Sequence, residues 1–73
     1  MASRLAHLVP HWIEHNEAHV EQLVEWAKKA RETGLGGVAD EIEAAARAMK
    51  QANEDLGNAR AELSMGEGEE FSS

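Results

Sequence analysis

Between residues 38 and 63 the apolar positions step alternately by four and three: Val38, Ile42, Ala45, Met49, Ala52, Leu56, Ala59 and Leu63. A repeat averaging 3.5 residues is the seam of a coiled-coil-like helix. Ile42, Met49, Leu56 and Leu63 fill one heptad position, and Ala45, Ala52 and Ala59 the other. Large residues alternating with alanine let a second helix approach toward the close end of the usual axial separation of about 8–10 Å. Gly57 lies beside this seam, where it costs about 1 kcal/mol relative to alanine. It marks either a close backbone approach or a weak point.

The first half carries a broader stripe. Leu5, Val9, Trp12, Ile13, Val20, Leu23, Val24, Ala27 and Ala30 fall within one arc at about 100° per residue. This spacing predicts a helix from about residue 3 to 32, with Ser3 as its N-cap. Pro10 removes a backbone donor and should kink this helix on its polar side, and a start at Pro10 is the alternative. The connector is RETGLGGVADE, residues 31 to 41. Gly34 suits the left-handed position past a helix end, and Leu35 supplies the apolar contact that often follows. Gly36 and Gly37 turn the chain, and Asp40 and Glu41 place negative charge at the start of a second helix over about 37–64. A connector this short forces the helices antiparallel. Past Leu63 the sequence SMGEGEEFSS is acidic and aperiodic, so residues 65–73 are expected to form a flexible tail. The predicted product is an all-α, antiparallel two-helix hairpin over residues 1–64.

Size changes the picture. A chain of 73 residues is one small domain, and such a domain buries only about 60% of its unfolded surface. Cysteine is absent, which excludes disulfides and thiolate metal sites. A histidine-based metal site, self-association or docking on a larger body remains. Two helices cannot hide two apolar faces, and Trp12 and Trp26 lie fourteen residues apart, four turns along the same side. The expectation is a contact with a second chain or a protein partner, a homo-oligomer giving a four-helix bundle. Its residues would be Trp12, Trp26, Ile13, Val20, Leu23, Met49 and Leu56. The other reading is a pair of half-exposed tryptophans capping the hairpin edge.

A net charge of −7, with the seven basic residues scattered, argues against nucleic acid. No apolar run approaches the roughly 18 residues that span a bilayer. The stretch MASRLAHLVPHW is a poor secretion signal, so a cytoplasmic protein is expected.

All four histidines stand at four-residue spacing: His7, His11, His15 and His19. Neighbours are about 6 Å apart along a helix axis and turned about 40°, so any adjacent pair can aim two imidazoles at one point. His15 with His19 is the simplest pair, and His11 with His15 the other. His11 and His19, about 12 Å apart, are too distant to share one ion through bonds near 2.1 Å. One helix therefore offers a half-site suited to nickel, cobalt, zinc or copper, its remaining ligands coming from elsewhere. Sharper motifs are missing. HNEAH is not HExxH, since Glu17 follows His15 by two. Trp12 and Asn16, not glutamates, precede His15 and His19 by three, which excludes the Glu-x-x-His of di-iron bundles. The competing reading places the histidines on the polar flank, stacked on the tryptophans. No serine, threonine or lysine sits beside a histidine as an activated nucleophile, and the Gly34–Gly37 segment is a helix–helix turn, not a phosphate loop. The chain is not expected to be an enzyme.

The stretch HWIEHNEAH, followed by LVEWAKKARETGL, resembles a small uncharacterised prokaryotic helical-hairpin domain with a His-Trp-Ile-Glu-His-Asn signature. The resemblance covers residues 5 to 63, with its specific part at residues 11 to 19 and Trp26. It implies the hairpin, draws attention to His11, Trp12, His15, Asn16 and His19, and assigns no activity. Two functions follow from the residues: a structural or adaptor module that self-associates or docks, and a metal-binding protein using His15, His19 and His11.

Overall fold

The computed structural model describes the backbone of residues 1–72 and the side chains of residues 1–65. The chain is an all-α hairpin of two helices, α1 (Ala2–Glu32) and α2 (Gly36–Ser72). α1 starts one residue before the expected Ser3 cap. Met1 is the N-cap and offers no side-chain hydrogen bond. Its carbonyl accepts from the Leu5 N–H at 3.1 Å, which closes the first turn and draws Ser3 inside the helix. The helix runs through Pro10 without a break, so Pro10 does not start it. The ring deprives the Ala6 carbonyl of its partner four residues on.

The connector closes with a full Schellman motif. The Leu35 N–H donates to the Ala30 carbonyl at 2.8 Å and the Gly34 N–H to the Arg31 carbonyl at 3.2 Å. Gly34 takes φ +84°, as expected of the residue past a helix end. The Thr33 hydroxyl donates back to the Ala30 carbonyl at 3.0 Å. The Leu35 carbonyl then accepts from the Ala39 N–H at 2.9 Å, so α2 begins at Gly36. Asp40 and Glu41 consequently lie beyond its first turn, contrary to expectation. Asp40 pairs instead with Arg31 across the connector, at 2.9 Å.

The seam follows heptads on both helices. α1 turns Ala6, Ile13, Val20 and Ala27 inward on one row, with Val9, Asn16, Leu23 and Ala30 on the other. α2 answers with Ile42, Met49, Leu56 and Leu63, as expected, and with Ala39, Ala46 and Asn53. This second row is offset by one residue from the expected one. Ala45 and Ala52 are exposed, and so is Val38, at 50%, whereas Ala59 is half-buried as expected and Arg60, next in the offset row, is exposed. Either offset continues the four-and-three alternation; the apolar pattern favoured the alanines because Asn53 is polar. Asn53 is admitted because it has a partner. Asn16 Nδ2 donates to Asn53 Oδ1 at 2.9 Å, and Asn53 Nδ2 donates to the Ile13 carbonyl at 3.4 Å.

That amide pair fixes the register, as polar residues in coiled-coil seams do. With Asn16 opposite Asn53, antiparallel heptads set Ile13 against Leu56, Val20 against Met49, Leu23 against Ala46 and Ala27 against Ile42. Apart from the first, these layers join a larger residue to a smaller one. The same register places Pro10 across from Gly57 on the outer flank. A Cβ built on Gly57 meets nothing within 4 Å, so this glycine is a weak point and no helix approaches it closely. α2 continues past the expected end near 64. In this register it outruns the start of α1. The flexible acidic tail expected over 65–73 falls, after Met65, on residues outside the described side chains.

Candidate functional site

The hairpin has two long edges, one on each side of the seam. On one, Trp12, His19 and Trp26 repeat every seven residues along α1, and Val38, Ala45, Ala52 and Ala59 repeat every seven along α2. None of these seven residues carries a formal charge at pH 7 with histidine neutral. Trp12 is 41% exposed and Trp26 61%, so the fold covers neither residue fully. Near the connector, Trp26, Lys29, Thr33, Leu35, Val38 and Ile42 line an apolar hollow of about 430 Å³. Lys29 Nζ lies 4.6 Å from the centroid of the Trp26 ring, a cation–π contact over one indole face.

Further along the same edge lies a second hollow, of about 480 Å³. His11, Trp12, His15, Asn16, His19 and Leu56 line it. The imidazoles form a ladder, with ring centroids 4.9 Å apart for His11–His15 and 6.2 Å for His15–His19. Regular helical spacing puts them in a row; side-chain rotation makes the first pair the closer. All four histidines are exposed. No group of three or more histidine, cysteine or acidic side chains comes together to hold a metal among the described residues. The chain supplies pairs.

The opposite edge is mostly charged, with Val24, 49% exposed, between Glu17 and Arg31 at seven-residue spacing. Arg31 bridges Asp40 at 2.9 Å and Glu43 at 2.7 Å. The hydrogen bond to Asp40, and then the charge of Glu43, raise the Arg31 guanidinium above its ordinary value. A hollow of about 500 Å³ here has Ile13, Val20 and Asn53 at the seam and Glu17, Glu21, Lys50 and Glu54 around it.

The expected contact residues therefore divide. Val20 is buried and Ile13, Leu23, Met49 and Leu56 are half-buried in the seam between α1 and α2, while Trp12 and Trp26 stand on the free edge. Leu35, 53% exposed, and Val38 extend that edge and were not part of the expected set. The seven-residue spacing of Trp12, His19 and Trp26 was the signal that could have located it. Asn16 and Asn53 were likewise not expected as a pair; their signal was one polar residue at a heptad position on each helix.

A family described as a domain of unknown function, DUF8180, matches residues 5–63, and the chain belongs to it. No curated protein and no solved structure matches the chain. No helix among the described residues is long and apolar enough to cross a membrane.

Proposed function

We propose that this chain is a non-enzymatic helical interaction module that pairs with a second copy of itself along its apolar edge, forming a four-helix bundle. The observation carrying this reading is the pair of part-exposed rings, Trp12 and Trp26, beside the exposed Val38, Ala45 and Ala52. Self-complementarity favours a second copy over an unrelated partner. α1 contributes the rings and α2 a flat track of Val38, Ala45 and Ala52, all exposed. A two-fold axis along the edge would seat each chain's indoles over the other's alanines, as isologous pairing requires.

Charge fits as well. A chain of net charge −7 repels its copy, and no carboxylate stands in the seven-residue rows of this edge.

Sedimentation equilibrium across a concentration series tests the reading. A dimer is expected that dissociates on dilution, with tryptophan emission shifting to the red as the rings meet water. Trp26→Ala should move the transition to higher concentration without changing the far-ultraviolet circular dichroism. A wild-type chain that stays monomeric at several hundred micromolar, a range where even weak specific pairs associate, defeats it.

A further inference from the structure

We propose that His11 and His15 form a two-imidazole clamp for a divalent first-row transition cation at the mouth of the histidine hollow. The site needs no second chain, so it goes beyond the self-association reading and stands or falls separately.

Ring separation carries the inference. A cation bound about 2.1 Å from an imidazole nitrogen lies about 3.2 Å from that ring's centroid. Two rings on one ion are then about 4.5 Å apart when the ligand angle is 90°, and about 5.2 Å apart when it is tetrahedral. His11 and His15 stand 4.9 Å apart, between those values, with planes inclined at 59°. His15 and His19, at 6.2 Å, would subtend about 150° at a shared ion, which neither cis-octahedral nor tetrahedral coordination uses. The sequence favoured His15 with His19; the rings favour His11 with His15. His19 becomes a ligand only after its ring rotates.

The surroundings suit an ion with open positions. Both imidazoles are exposed, so water can complete the coordination. The hollow lies on a chain of net charge −7, which raises the local concentration of cations. An all-nitrogen pair without thiolate selects copper, nickel, zinc or cobalt over calcium or magnesium, with copper bound most tightly. Trp12 shares the hollow with both rings, whereas Trp26 lines the hollow near the connector. The chain thus carries a reporter inside the site and another outside it.

The test titrates copper(II) or nickel(II) ions alone into full-length chain without a purification tag. Two variants are used, one retaining only Trp12 (Trp26→Phe) and one retaining only Trp26 (Trp12→Phe). Saturable quenching is expected in the first and not, at the same concentrations, in the second. His15→Ala and His11→Ala should each weaken binding by roughly tenfold or more, while His7→Ala and His19→Ala stay within about threefold. These histidines are exposed, so the helical circular dichroism should be unchanged, and calorimetric titration gives a second reading of each affinity. Equal quenching of both tryptophans, no saturation below about 1 mM, or full binding by His15→Ala overturns the proposal. The dimer's failure would leave all of these results in place, and the clamp's failure would leave the sedimentation results in place.

Discussion

The two edges of this hairpin are built from the same two helices and obey opposite rules. One edge presents Glu17, Glu21, Arg31, Glu43, Lys50 and Glu54, with Arg31 held between Asp40 and Glu43. Water satisfies such groups, and exposed ion pairs of this kind add little stability. The other presents two indoles, a valine and alanines, with only the Lys29 ammonium resting on Trp26. Apolar surface gains by leaving water at roughly 25 cal/mol per Å². Apart from Val24, 49% exposed among the charges, this two-helix protein therefore completes its solvation on one side and leaves it incomplete on the other. The lesson is positional: five residues around the heptad separate a finished surface from an unfinished one.

The strongest way to break this contrast is to move a charge across it. Ala52→Glu places a carboxylate on the apolar edge and should weaken self-association by roughly a hundredfold, since an unpaired buried charge costs several kcal/mol. Lys50→Gln, on the charged edge, should leave the association constant unchanged. Sedimentation equilibrium reads both, and equal effects would erase the distinction between the edges.

Next in size is the amide pair between the edges. Asn16→Ala leaves half-buried Asn53 without its donor and should cost about 1–2 kcal/mol in urea denaturation. Replacing both asparagines by leucine should restore stability while admitting a helix pair shifted by one heptad. Cross-linking between the helices would detect that shift.

Gly57→Ala should raise stability by about 1 kcal/mol, because its added methyl meets open space and helix propensity alone decides. A loss would mean that the charged edge is packed more tightly than its 4 Å clearance allows. Arg31→Ala should produce the smallest change, a slight loss that disappears in high salt. The sign with pH follows from the raised guanidinium. Its contribution is complete below its ordinary value and lost only above the raised one, so melting across the neutral range should not alter this part of the balance.

How far the residues announced this structure depends on which force set each feature. The connector was legible in part: Gly34 and Leu35 obey local backbone rules that a sequence states directly, whereas Gly36 and Gly37, expected to turn the chain, already lie in α2 and leave Asp40 and Glu41 past its first turn. Ile42, Met49, Leu56 and Leu63 were legible as one seam row for the same reason: large residues seven apart leave little choice. The companion row was not. Two offsets satisfy the alternation, and only the Asn16–Asn53 hydrogen bond, 37 residues apart in sequence, decides between them. The start of α1 also escaped, since the Met1 carbonyl replaced the Ser3 hydroxyl as the first acceptor. At the histidines, spacing identified the ladder and could not rank its pairs. Ranking needs side-chain torsions, which periodicity does not encode.

Pro10 and Gly57 stand at one level of the hairpin, one on each helix along the charged flank. A ring that cancels an amide bond and a residue that resists helical order thus share a single cross-section, which becomes the molecule's softest joint. Deuterium uptake should rise there on both helices together, and the open end should breathe as a unit while the half nearer the connector stays shut.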